Sequence, residues 1–364
     1  MTGTDILITG GYGTVGRRVA ADLAPDYPDR VVVAGRSTEK AARLAAELGH
    51  GVRGRRVDVG EPDSVEAALD GVGVVMSCID QPEPHLLRSA IGRGLAYTDI
   101  APHLMTRRPT EAMKAEAAQR GARIVLGSGL AAGISSLLAR LAADRLGAVE
   151  GVEVAVFLSV GDVYGPASRA YLMEEIALPY AVYIEGREMP TRPFGGYARA
   201  NFPPPLGKRT AYLFPFSDQV FFPKTLGAHT ALSRLALEPA WLGALLAVLA
   251  RLRVTAMLGR RRVGAEERVR RLNAWLRRRY EGRDWYGVAV EVEGARGRVR
   301  ASLVGRSQAL GTATGAAAVV RALAEEEVKQ PGIWLAEEVV APESFFGYLA
   351  TRGLVPAIEV MLEG

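Results

Sequence analysis

Apolar residues in the first third of the chain fall into short unbroken runs. Ile6-Leu7-Ile8, Val31-Val32-Val33-Ala34 and the stretch from Val72 to Cys78 are too short for buried helices and read as strands covered on both faces. Between them the apolar positions switch to helical spacing: Val15, Val19 and Leu23 recur on one face, and helices are expected over Thr38 to Leu48, Ser64 to Leu69 and Glu83 to Gly92. A third strand ends in Val57-Asp58-Val59. A short strand from Leu95 runs toward His103, a helix spans Pro109 to Arg120, and Ala122 to Leu126 is the next strand. Such strict alternation predicts a parallel sheet joined by crossover helices.

The pattern changes after Gly127. The glycine-rich joint Ser128 to Gly133 precedes an amphipathic helix, Ile134 to Leu146, and beyond it the chain reads as α+β. Val152 to Leu158 and Arg209 to Phe216 read as strands. The segment between Tyr180 and Pro205, rich in proline, glycine and aromatics, is expected to be an irregular lid or binding loop. Trp241 to Leu258 is apolar but interrupted by Arg251 and Arg253, too short to span a bilayer. It is expected to be a buried or partner-facing helix, with an interfacial helix as the alternative. Tyr286 to Glu293 and Gly297 to Val304 alternate as a hairpin with one covered and one wet face, and an alanine-rich helix covers Gly311 to Glu327.

Composition narrows the class. The 364 residues are 49% hydrophobic and 23% charged, as in a globular enzyme of about two domains. The opening residues leave no room for a secretory leader, so a cytoplasmic location is expected. A single cysteine, Cys78, and four scattered histidines exclude a disulfide framework and give no metal-ligand spacing. Only five of the 45 basic residues are lysine, and arginines crowd between Arg260 and Arg279. Without interleaved aromatics this run reads as a solvated helix face rather than a nucleic-acid surface.

The candidate chemistry begins where the first strand meets the first helix. Gly11-Tyr12-Gly13-Thr14-Val15-Gly16 is a G-x-G-x-x-G turn in a strand-turn-helix setting. Gly11 permits the tight turn, Gly13 the approach of backbone to a pyrophosphate, and Gly16 close packing of helix on strand. At the end of the second strand, where an acidic residue selects NAD, stand Arg36 and Ser37. A guanidinium and a hydroxyl suit a 2′-phosphate, so NADP(H) is the expected cofactor. Asp58, with Val59 after it, is a candidate for the adenine amino group or else a loop acid. Ser77-Cys78-Ile79-Asp80 should border the nicotinamide; Cys78 is read there as a small buried residue. The pattern around Thr9 and Gly10 also fits short-chain dehydrogenases, but no tyrosine precedes any of the five lysines by four residues, which excludes their Tyr-x-x-x-Lys mechanism.

Gly11 to Gly16, Ala34 to Ser37, Val57 to Val59, Tyr97-Thr98-Asp99, the joint Gly127 to Gly133 and the closing run Thr312 to Trp334 with Glu337-Glu338 and Phe345-Phe346 resemble the saccharopine dehydrogenase family along the whole chain. Ala132 stands where the family often has proline. The resemblance implies an α/β fold: a doubly wound Rossmann sheet over residues 1–127, an α+β substrate and dimerisation domain over 128–308, and helices of 309–364 returning to the Rossmann domain. It implies a homodimer and reduction of an imine to a secondary amine, with a lipid-linked or other C=C or C=O substrate as the alternative and a non-catalytic NADP-binding protein as a further one. Tyr97, Asp99 and His103, just past the fifth strand, are the catalytic candidates; for Asp99 and His103 the competing roles are a loop cap and a surface residue. Arg169, Tyr171, Asp218 and Lys224 are candidates for gripping a substrate carboxylate.

Overall fold

The structure, a computed structural model, describes residues 4–362 apart from 82, 101–108, 163, 177, 253–270, 272, 273 and 277. In chain order the first half forms β1 (Asp5–Thr9), α1 (Gly16–Leu23), β2 (Val31–Gly35), α2 (Thr38–Leu48), β3 (Arg53–Arg56), α3 (Pro62–Ala68), β4 (Val72–Ser77), α4 (His85–Gly92), β5 (Ala96–Asp99), α5 (Glu111–Arg120), β6 (Arg123–Leu126) and α6 (Ile134–Leu146). Then follow β7 (Gly151–Ser159), α7 (Pro166–Glu175), β8 (Tyr180–Ile184), β9 (Arg187–Thr191), β10 (Tyr197–Phe202), β11 (Gly207–Leu213), the one-turn α8 (Phe222–Thr225), β12 (Thr230–Glu238) and α9 (Ala240–Arg251). The chain closes with β13 (Trp285–Gly294), β14 (Gly297–Arg306), α10 (Gln308–Ala324), β15 (Gly332–Leu335), the one-turn α11 (Ala336–Val339), α12 (Pro342–Thr351) and β16 (Ala357–Leu362).

Two compact units result, one of Met1–Ile134 with Thr312–Arg352, the other of Ser135–Gly311 with Gly353–Gly364. In the first, seven strands lie in the order β15-β6-β5-β4-β1-β2-β3, every neighbouring pair parallel. The apolar runs explain this: all of β1 and β2 is buried, and the helices cover both faces as crossovers demand. The order reverses between β1 and β4, so the strands' carboxyl ends open a crevice there. At the far end of the unit Arg352 donates to Asp22 at 2.7 Å and Asp26 at 2.5 Å, tying the end of α12 to α1.

The second unit is built on a mixed nine-stranded sheet in the order β10-β11-β12-β7-β13-β14-β16, with β8 on β12 and β9 on β8. Its centre is the parallel pair β7–β12 flanked by the long antiparallel β13, and along β13 and β14 buried positions alternate with wetter ones as expected. The segment 180–205 is a correction: it holds three strands rather than an irregular loop. Its β9 is exposed along nearly its whole length and contains Pro190, so neither alternation nor propensity marks it as a strand. It pairs only with β8, and an edge strand tolerates a missing N–H. Three smaller differences concern boundaries. Asp58 lies two residues past β3; the alanine-rich helix starts at Gln308, whose N–H donates to Asp162 Oδ2 at 2.5 Å; and it is followed by β15, α11, α12 and β16.

Candidate functional site

The glycine turn at the end of β1 has room for backbone and little else. A Cβ on Gly16 would stand 2.3 Å from the Gly10 carbonyl oxygen, and one on Gly11 2.8 Å from that of Ile8. Gly11 N–H donates to Ala34 O at 2.9 Å, which holds the turn against β2. Helix α1 then begins at Val15 and Gly16 with no side chain capping it; the Arg17 and Arg18 N–H groups donate to the Gly13 and Val15 carbonyls, so an anion would meet the residues just before them, at the positive end of the helix dipole. Gly13 is exposed at the mouth, with Thr14 and Val15 half-buried behind it. These are the features a pyrophosphate requires, and the residues present fit a bound dinucleotide.

Tyr12 does something the motif alone does not reveal. Its ring lies on Gly35, where a Cβ would come within 2.6 Å of Tyr12 Cε1, and its hydroxyl accepts the Ser37 N–H at 3.0 Å. The tyrosine thereby fixes the end of β2 and the start of α2. Ser37 Oγ accepts the Lys40 N–H at 3.2 Å and caps α2, while the Lys40 ammonium lies 6.0 Å from the Tyr12 ring centroid. Arg36 is exposed and enters none of the ion pairs among the described residues. Arg36 and Lys40 thus put two cations on either side of the capping serine Ser37 at the end of β2. Lys40, not singled out in the sequence, comes to this place because Ser37 caps α2 three residues before it.

Asp58 is half-buried, its Oδ1 accepting the Gly60 N–H at 3.1 Å as a loop acid does, and Val59 beside it is half-buried too. Cys78 follows β4, its N–H donating to Thr9 O at 3.0 Å, and burial followed by the nearby Asp99 charge pushes its thiol up to about 12. A thiol so shifted stays protonated at neutral pH and is no nucleophile.

The parallel register brings Thr9, Ser77 and Asp99, the last residues of β1, β4 and β5, into one row. A buried hydrogen-bond chain runs along it. Thr9 Oγ1 donates to Ser77 Oγ at 3.4 Å; Gln81 Nε2 donates to Ser77 Oγ at 3.3 Å and to the Tyr97 hydroxyl at 3.2 Å. Tyr97 donates to Asp99 Oδ2 at 3.2 Å, and Asp99 Oδ1 accepts the Gly127 N–H at 3.3 Å. The Asp99 carbonyl takes both the N–H and the hydroxyl of Ser128, at 2.8 and 2.7 Å. Tyr97 and Asp99 are both 0% exposed, and burial first, then the Asp99 charge, holds the Tyr97 phenol well above its ordinary range. Gln81 had no sequence signal, because α4 and the register place it here. His103 lies outside the described residues.

In the second unit Tyr171 donates to Pro215 O at 3.0 Å, and burial with the charges of Glu175 and Asp218 raises its phenol well above the ordinary range. Asp218 is fully buried, accepts the Ser135 hydroxyl at 2.6 Å, and has its carboxyl raised by burial to about 6. Tyr171 and Asp218 are thus neighbours. Lys224 is exposed on α8, and of Arg169 the structure describes only the backbone, within α7.

The family model of the saccharopine dehydrogenase NADP binding domain matches residues 6–125. Among solved structures, apo saccharopine dehydrogenase (L-Glu forming) from Saccharomyces cerevisiae matches with a TM-score of 0.67 at 16% identity, covering 99% of this chain and 100% of that one. Pen from Bacillus thuringiensis matches 27% of this chain and 37% of its own at 18% identity and a TM-score of 0.24. The 3-ketoacyl-(acyl-carrier-protein) reductase from Brucella melitensis matches 35% and 75% at 19% identity and a TM-score of 0.27. No curated protein matches the sequence.

Proposed function

We propose, from the premise that residues 6–125 are a saccharopine dehydrogenase NADP-binding domain on a chain whose fold is that of saccharopine dehydrogenase, that this protein is an NADP(H)-dependent oxidoreductase reducing a C=N bond to a secondary amine. The observation that carries the reading is the carboxyl edge of the parallel sheet, with an uncapped helix N-terminus, a turn whose glycines have no room for a Cβ, and the cations Arg36 and Lys40 at the end of the neighbouring strand.

Bound NADPH would supply the hydride. The chain's own residues then have to hold, orient and protonate. Gly11 to Gly16 receive the pyrophosphate, with Tyr12 stiffening the far wall; Arg36 and Lys40 neutralise the 2′-phosphate, and Asp58 and Val59 border the adenine. Cys78, protonated and compact, lines the nicotinamide end. Tyr97 and Asp99 act as positioning residues in this reading. Both are sealed from solvent, and Asp99 holds the backbone of Gly127 and Ser128, the start of the joint that leads out of the sheet. His103, outside the described residues, is the proposed proton donor for the substrate nitrogen, because imidazole is the side chain suited to proton transfer near neutral pH. Arg169, Tyr171 and Lys224 are the proposed substrate contacts, and the enzyme is proposed to work as a homodimer on a small molecule in the cytoplasm.

The test is NADPH oxidation with a panel of keto acids paired with amines, run beside a panel of enoyl substrates. Turnover confined to keto acid plus amine supports the reading. Turnover of enoyl substrates alone, or NADPH binding with no turnover on either panel, overturns it.

A further inference from the structure

Helix α9 carries an apolar stripe on its exposed side. Its buried positions are the small ones, Gly243 and Ala250; a Cβ on Gly243 would come within 2.9 Å of the Tyr212 ring. Leu242, Leu246 and Leu249 are half-buried, but a second row of large apolar residues points outward: Trp241 is 46% exposed, Leu245 44%, Val248 55%, and Leu252 just past the helix 66%. No charged residue interrupts the helix before Arg251, so the exposed stripe at spacings of three and four is unbroken. A surface helix of an ordinary globular domain carries its charges on that side.

Beside this stripe stands a cluster of aromatics and arginines. Trp241 Nε1 donates to the Tyr280 hydroxyl at 3.4 Å, and the guanidinium groups of Arg279 and Arg283 lie 5.8 and 5.7 Å from the Tyr280 ring centroid. Trp275, 57% exposed, precedes Tyr280 in sequence by little more than one helical turn. Among the described residues between Arg251 and Arg283 stand five arginines (Arg251, Arg271, Arg278, Arg279, Arg283) and one acid, Glu281, a net charge of +4. The whole chain carries only +5, so these few described residues hold a large share of its net positive charge.

We propose that the outer face of α9, with Trp275 and the arginines around Tyr280, docks on an anionic lipid bilayer. Tryptophan and tyrosine favour the headgroup boundary, the Leu and Val side chains enter the acyl edge, and arginine stays at the level of the lipid phosphates. Charge complementarity selects this occupant. A second copy on the same face would bring two positive arginine clusters together, and nucleic acid offers no apolar surface for the stripe. The helix lies on the membrane and does not cross it: its 12 residues reach about 18 Å against a hydrocarbon core of about 30 Å, and no helix among the described residues is long and apolar enough to span. The surface is independent of which bond the enzyme reduces.

The intact protein is sedimented with phosphatidylcholine vesicles, with and without phosphatidylglycerol, at low and high salt. Binding to the anionic vesicles is expected to exceed binding to neutral ones by about tenfold or more and to fall with salt. The double variant L245D/V248D should lose binding by a similar factor while keeping the wild-type melting temperature and NADPH affinity, since both side chains are exposed. R278E/R279E should weaken binding and flatten its salt dependence. Wild-type protein left in the supernatant with anionic vesicles, or equal binding by L245D/V248D, overturns the proposal. A solution dimer that L245D/V248D dissociates, without vesicle binding by wild type, overturns it in favour of an interface between copies.

Discussion

A cofactor preference rests on single side chains. Arg36 follows β2 directly and is exposed, without an ion-pair partner among the described residues, so its guanidinium is available to a phosphate. Its replacement by alanine removes a charge-assisted contact of about 1.5–3 kcal/mol, and NADPH binding should weaken by about ten- to a hundredfold. NADH binding, which lacks the 2′-phosphate, should hardly change; calorimetric titration of both nucleotides measures the difference, and equal losses would sink the assignment. The place of Arg36, directly after β2, was legible because its distance from the glycines is local. Gln81 and Ser135 were not legible, since the groups they bind come from elsewhere in the chain through packing. Asp218 adds a pH dependence. Its carboxyl is raised by burial from the unfolded value near 4 to about 6, so in that window the native protein holds a proton the unfolded chain has lost. Its stabilising contribution is complete below that window and is lost as pH rises through it. Asp218→Asn should therefore match wild type near pH 4 and exceed it at pH 7 by up to about 3 kcal/mol, read from urea midpoints across the range. A constant difference with pH would mean the carboxyl does not titrate there.

Elements were legible wherever one period ran through a whole segment. β1, α2, α6 and the β13–β14 hairpin lie where apolar spacing places them, because each buries a face defined by its own residues. β8, β9 and β10 escaped detection for the opposite reason: their pairing is supplied by neighbours while their side chains stay largely wet. The start of α10 shows a boundary set from outside. Ser307 adopts a left-handed φ of 57°, and the first helical N–H, that of Gln308, is accepted by Asp162 from the β7–α7 connection. Asp162→Ala should leave that donor without its acceptor and cost about 1–2 kcal/mol, with Asp162→Asn recovering most of it. Chemical denaturation of the three proteins side by side measures this; an alanine variant as stable as wild type would show that α10 needs no cap.

At the scale of the whole molecule, the chain closes each unit with residues from its far end. β15 adds a seventh parallel strand beside β6, and β16 pairs antiparallel with β14 over Gly297 to Ser302. The family resemblance implied one returning segment over 309–364; residues 353–364 instead belong with the second unit, and no local pattern announces it, since a strand's partner is chosen by the edge left open elsewhere. That edge is what β16 covers. Removing residues 353–364 would bare the N–H and C=O groups of β14, a long strand whose other side already pairs with β13. An unpaired edge of this length is a template for pairing with another chain. The truncated protein should unfold at a lower temperature and associate as its concentration rises, whereas NADPH affinity should stay within about threefold, because the glycine turn, Arg36 and Lys40 all belong to the other unit. Light scattering and nucleotide titration on the same sample separate the two effects. A truncation that stays monomeric and fully stable would show that β16 contributes pairing without stability; one that loses NADPH binding along with stability would show that the two units unfold as one.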